Sequence, residues 1–197
     1  MSEPLVNIAE LLKEQTEQEY QILPFVGEFD LHEGVLQSGL EEIVRAAHWE
    51  GNVAYVTNGA WNMHDLLSGL ARGVKHGSKV YISSYAINET SARTMALLKE
   101  EHVIKNLYCI LDNRSDVRAA ESLQLLRSVC DFICLAPCHA KVTVIDGDGG
   151  GFVIIGSANY TENKRYETGI ISNNPSLIQF HKEWIIKSFS KHGKFEP

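Results

Sequence analysis

His139 and Lys141 stand two apart in the stretch His139-Ala140-Lys141-Val142-Thr143-Val144-Ile145-Asp146, whose β-branched content predicts a strand over 140–145. Side chains two apart on a strand share a face, so an imidazole and an ammonium project into one place while Ala140 and Val142 face the other way. A nucleophile or proton carrier then sits beside a fixed cation. Further on comes Gly156-Ser157-Ala158-Asn159. If 152–155 pairs with that strand through the turn-rich run from Asp146 to Gly151, the Gly156–Asn159 turn returns near the start of the first strand. The Ser157 hydroxyl and the Asn159 amide then reach the same cleft. A cation, a hydroxyl and an amide are phosphate-binding groups, so the chemistry expected here is at phosphorus.

Taken together, His-x-Lys-x4-Asp followed by Gly-Ser-x-Asn resembles the signature of the phospholipase D superfamily. His139, Lys141 and Asp146 match its first part, and Gly156, Ser157 and Asn159 its second. Nine residues separate Asp146 from Gly156, including three consecutive glycines, where the family commonly has fewer; a longer hairpin loop is the expected accommodation. The resemblance implies that His139 attacks phosphorus to form a phosphohistidine and that a second histidine, from another motif, protonates the departing alkoxide. It implies that Lys141, Asn159 and Ser157 hold the non-bridging oxygens. Glu167, matched to the family's downstream Glu, would take the proton on the other ring nitrogen of His139. Asp146 and Gly156 are expected to be structural. No metal and no cofactor is implied, since His, Lys and Asn supply what metal ions supply in other phosphodiesterases.

Two histidines are required, and the only other His-x-Lys, His192-Gly193-Lys194, is followed too soon by Pro197 for an Asp at the motif's spacing. A two-fold homodimer, which sets two identical motifs face to face, is therefore expected, as in small single-motif nucleases of the superfamily. The expected activity is that of a metal-independent nuclease, with nucleic acid as substrate. The alternatives are a phospholipase D-type lipid hydrolase, for which no aromatic and basic amphipathic helix speaks, and a non-catalytic binding module on the same scaffold.

Charge bears on the partner. Residues 1–45 carry ten acids against Lys13 and Arg45, while 46–197 hold sixteen basic and fifteen acidic residues. The net charge of -7 is thus local, and the body is neutral. Nucleic acid would have to meet a local patch, for which Lys164, Arg165, Tyr160 and the lysines of 182–194 are the candidates. Cys130, Cys134 and Cys138 recur every fourth residue without the paired spacing of zinc sites and are expected to be small buried thiols.

These residues need a scaffold. Apolar spacing predicts an amino-terminal helix around Ile8, Leu11 and Leu12 and a second through Leu36, Leu40, Ile43, Val44 and Ala47. Strands are predicted at 53–56, 79–83, 105–111 and 131–135, with helices at 61–75, 89–102 and 116–128 between them. Strands at 140–145, 152–155 and 168–171 and a closing helix over 175–189 follow, the helix with Leu177, Phe180, Trp184 and Ile185 on its apolar side. The class is α/β: a mixed, largely parallel sheet flanked by helices on both faces, comprising 46–197, with 1–45 as an acidic helical extension. Hydrophobic residues at 44% and charged residues at 22% fit one soluble domain. No apolar run reaches membrane-spanning length and no secretory signal opens the chain, so a cytoplasmic location is expected.

Overall fold

The computed structural model describes residues 39–74, 77–115, 119–162 and 164–192. The helix expected around Ile8, the start of the next one at Leu36, residues 116–118 and Lys194 lie outside them. The described chain runs α1 (Leu40–Glu50), β1 (Asn52–Thr57), α2 (Met63–Arg72), β2 (Ser78–Ser84), α3 (Glu89–Glu100) and β3 (Ile104–Asp112). It continues with α4 (Ala120–Val129), β4 (Phe132–Ala136), β5 (Val142–Gly147), β6 (Gly150–Gly156), β7 (Glu167–Ser172) and α5 (Pro175–His192). Polar caps set the starts of α2 and α3. Asp65 accepts the backbone N–H of Asn62 at 2.9 Å in a capping box on α2, and Asn88 accepts that of Ser91 at 2.9 Å on α3.

Seven strands form one sheet in the order β1-β7-β6-β5-β2-β3-β4. The sheet is mixed, but less parallel than expected. Only β2–β3 and β3–β4 pair parallel; β1–β7, β7–β6, β6–β5 and β5–β2 pair antiparallel. The cause is that β5, β6 and β7 form a meander inserted beside β2, with β1 closing on its outer side. Helices cover both faces. On one, Leu66, Leu67, Leu70, Met95, Leu98 and Leu126 pack on Val80, Ile82, Leu107, Ile145 and Ile154. On the other, Ile178, Ile185 and Phe189 of α5 pack on Tyr81, Ile110, Val144 and Val153. Consecutive residues Val80, Tyr81 and Ile82 thus point to opposite cores, which is why β2 reads as an unbroken apolar run. The buried stripe of α5 includes Ile178 and Phe189, and Phe180 is only half-buried.

Two further expectations shift. Position 45/46 falls inside α1, whose Ile43 and Ala47 both lie in the core. And the long Asp146-to-Gly156 spacing makes no long loop. The β5–β6 ladder runs from Val142↔Ile155 to Gly147↔Gly150, so the extra residues lengthen the strands around a two-residue turn at Asp148 and Gly149. Gly149 and Gly150, at φ 88 and 149, supply the left-handed backbone that this tight turn needs. No described helix is long and apolar enough to cross a membrane.

Candidate active site

His139 and Lys141 lie just before β5 and not within it, in an extended lead-in after Pro137. The β2–β5 ladder ends at Ser83↔Val142, and beyond it the Ser83 hydroxyl donates to the Ala140 carbonyl at 3.0 Å in place of a backbone partner. The segment stays extended on its other side because the Gly156 N–H donates to the Lys141 carbonyl at 3.2 Å. The two side chains therefore still meet. Lys141 Nζ lies 3.2 Å from His139 Nδ1 and donates to the His139 carbonyl at 2.7 Å. Burial lowers the Lys141 ammonium from its ordinary range, and the nearby Cys138, Glu167 and Tyr85 act in the opposite sense.

The second cluster grows from the ends of β6 and β7. Gly156 sits opposite Gly169 in the ladder, and an added Cβ at 156 would stand 2.7 Å from the Thr168 carbonyl and 3.2 Å from the Tyr55 hydroxyl. Only glycine fits that close approach. It lets the Ser157 N–H reach the Thr168 carbonyl at 2.9 Å, while the Ser157 hydroxyl donates to Glu167 and accepts the Thr168 N–H at 3.1 Å. Asn159 is fixed through its side-chain oxygen, which accepts the Ser84 hydroxyl at 3.3 Å and the Tyr85 N–H at 3.2 Å. That assignment turns the amide nitrogen away from these donors, where it can donate. Asn159 and Glu167 share a narrow crevice with Thr57, Trp61 and Asn62.

Tyr85 joins the two clusters. Its N–H holds Asn159, its ring centroid lies 4.9 Å from that of His139, and Lys141 Nζ lies 5.6 Å from the same ring. The Arg114 guanidinium rests 4.8 Å from the ring centroid and is gripped by Asp112, with Nε to Oδ1 at 2.6 Å and Nη2 to Oδ2 at 3.3 Å. Asp112 also accepts the Cys138 N–H at 3.3 Å, next to His139 in the chain. The Arg114 hydrogen bond, outweighing burial, draws the Asp112 carboxyl down to about 2. From sequence Ser83, Ser84 and Tyr85 stand just after a strand, at the carboxyl edge of the sheet where they can approach the site, whereas Asp112-Asn113-Arg114 reads only as a turn. Their common signal is position: both groups follow the carboxyl ends of parallel strands, where ligands of α/β sheets collect.

Other expected site residues lie elsewhere. Tyr160 is not available to a substrate: it is 2% exposed, with its hydroxyl 2.7 Å from Thr143 Oγ1 and its backbone paired with α3's entry. Its carbonyl accepts from Asn88 N–H at 2.8 Å and Ser91 Oγ at 2.9 Å, and Ser91 Oγ is 3.0 Å from His64 Nδ1. The segment is bridged to Ile87, which turns the ring inward. Lys164 and Arg165 are exposed on the loop entering β7. Asp146 lies at the opposite end of β5 from His139 and binds Lys182 of α5 at 2.8 Å, so Lys182 serves that tie and not a phosphate patch at the site. A cleft of about 610 Å³, lined by His48, Val74, Gly149 and Phe152, opens at that remote end. Cys109 and Cys134 are buried, whereas Cys130 and Cys138 are only partly so.

By sequence the chain matches no family model and no curated protein. By structure it is similar to NucT from Helicobacter pylori, with 20% identity, a TM-score of 0.57, and coverage of 73% of this chain and 98% of that one. It is similar also to Nuc from Salmonella typhimurium, a phospholipase D family member, at 16% identity and a TM-score of 0.55, over 74% of this chain and 99% of that one. The chain has the phospholipase D fold. At such identities the likeness is one of fold, and nearly the whole of each of those two proteins is matched. Within the phospholipase D fold of this chain, the candidate site draws on the lead-in to β5, the β6–β7 connection, and the segments after β2 and β3.

Proposed function

We propose that this protein is a metal-independent phosphodiesterase that cleaves nucleic acid through a phosphohistidine, in an active site completed by a second copy of the chain. The observation that carries the reading is the tie made by Tyr85, whose ring lies on His139 and whose N–H holds Asn159, so that imidazole, ammonium and amide converge on one place. The likeness in fold to NucT and to Nuc, a phospholipase D family member, fits the same reading.

In the first step a ring nitrogen of His139 bonds to phosphorus. The bond to the leaving oxygen breaks, and that oxygen takes a proton from His139 of the second copy. In the second step that same histidine takes a proton from water, the water oxygen attacks phosphorus, and the phosphorus–nitrogen bond breaks to return His139. Lys141 and the Asn159 amide hold the non-bridging oxygens as charge gathers on them. Ser157 and Glu167 form a hydrogen-bonded unit beside them, and its carboxylate is the proposed acceptor for the His139 ring proton.

Support for pairing comes from a part of one sheet face, at β1 and β7, that none of the described helices covers. Val56 of β1 and Ile170 of β7 are 40% and 36% exposed, on the face opposite the α1–α4 core. The same strand, β7, begins with Glu167. An apolar surface so close to a half-complete site is where we place the second copy.

The test is hydrolysis of an aryl phosphodiester, plasmid DNA and single-stranded DNA, in excess chelator, by wild type and His139→Ala, each sized by light scattering. Chelator-resistant cleavage by a dimer, lost in His139→Ala, is the expected result. Metal-dependent cleavage overturns the mechanism, and absence of turnover on every substrate favours a binding module.

A further inference from the structure

Arg114 has no part in the mechanism above, yet it is held as few surface arginines are. Its side chain is 56% exposed, while the Asp112 carboxylate that grips it is only 4% exposed. The other side of the clamp is the Tyr85 ring, which also touches His139. A guanidinium carries five N–H donors, and the Asp112 pair engages Nε and Nη2, leaving the remaining donors to meet another acceptor. The planar fork is pre-set, so little rotamer freedom is lost when an oxyanion binds. With 4.8 Å from guanidinium to the Tyr85 centroid and 4.9 Å from there to the His139 centroid, the cation stands at most about 10 Å from the attacking ring, within reach of the phosphate next to the scissile one on an extended strand.

We propose that Arg114, clamped between Asp112 and Tyr85, binds the phosphate next to the scissile one, so that the site selects a nucleic-acid strand over a substrate with a single phosphodiester. This rests on the phosphodiesterase reading for the identity of the scissile phosphate, but it makes a separate claim about binding. It also answers the problem of a neutral body: strand affinity arises from a cation built into the site and not from overall charge.

The probe is a fluorescein-labelled single-stranded oligodeoxynucleotide, titrated by fluorescence anisotropy at several salt concentrations in the full-length His139→Ala protein, which cannot turn it over. Replacing Arg114 by Gln is expected to weaken binding about tenfold and to reduce the salt slope by roughly 0.7, the share of one phosphate on a single strand. Arg114→Lys, which keeps a partner for Asp112, is expected to retain the slope and fall between Arg and Gln in affinity. Thermal unfolding reports whether each variant is folded. An unchanged slope in a folded Arg114→Gln protein overturns the assignment; if that variant does not fold, equal affinity of the Lys and Arg proteins overturns it. Binding that depends on residue 114, in a protein whose His139 form never cleaves, sinks the proposed function and leaves Arg114 in place. Cleavage with affinity indifferent to residue 114 does the reverse, and no binding of the oligonucleotide by any variant removes both.

Discussion

At the scale of single residues, the site depends on keeping Lys141 charged in a partly desolvated place. Burial disfavours its ammonium, and the negative neighbours, among them Glu167, partly restore it. Because the cation is the form that stabilises phosphate charge in the proposed mechanism, kcat/KM is expected to fall as pH rises through the lysine's own titration. That alkaline limb is expected below the ordinary lysine range. Removing the negative charge in Glu167→Gln takes away a group that raises the Lys141 value, so the limb in the residual activity moves to still lower pH. A pH–rate profile of the two proteins checks it, and a shift to higher pH contradicts the account. The motif residues were legible because their relation is short-range: two positions along extended chain bring His139 and Lys141 together whether or not the ladder reaches them. Tyr85 was suggested by its place just after β2, but its contact with His139 was not, and Arg114 was hidden altogether, since it follows β3 and meets Tyr85 only when the sheet is assembled. Tyr160 was misread for the opposite reason. Adjacent to Asn159 in sequence, it is turned into the core by its bridge to Ile87.

At the scale of elements, the β6–β7 pair carries the Ser157–Glu167 unit through a contact in which side chains have no room. Gly156→Ala forces its Cβ against the Thr168 carbonyl and towards the Tyr55 hydroxyl. Backbone cannot yield as a flexible side chain does, so a loss of about 1–3 kcal/mol in stability is expected, as for an overpacked core. Activity should fall further than stability, because the strands separate where Ser157 is held; denaturant melts and turnover on the same samples distinguish the two effects. Apolar runs and their spacing revealed most elements, but not how all the strands pair. The turn-rich run after β5 announces its hairpin with β6, but nothing in the sequence of β5 says that its other neighbour is β2, and that insertion turns an expected parallel majority into four antiparallel pairings. Where β5 begins was equally hidden, since the Ser83 hydroxyl ends the ladder with a bond that no hydrophobic pattern records.

At the scale of the molecule, the proposed two-histidine mechanism requires a partner, and the exposed Val56 and Ile170 mark the face where we propose that it sits. Ile170→Glu introduces a charge on that face without touching the α1–α4 core on the other side of the sheet. The expected outcome is a folded monomer by light scattering, with phosphodiesterase turnover lost in parallel with dimer. An inactive dimer or an active monomer contradicts the arrangement. Charge was the global feature that sequence described well in amount and poorly in meaning: a neutral body says nothing about Arg114, a single guanidinium held by a buried carboxylate.

The long β5–β6 hairpin has a practical consequence. Its base carries Lys141 on one strand and leads to Ser157 on the other, bonded across by the Gly156 N–H, while its tip at Asp148 and Gly149 stands at the remote end of the sheet. An added Cβ at Gly149 meets nothing within 4 Å. Length is therefore uncoupled from the candidate site: the tip is a splice point at which a fluorophore, an affinity tag or a whole foreign module is expected to be tolerated while the proposed phosphate cradle keeps its dimensions.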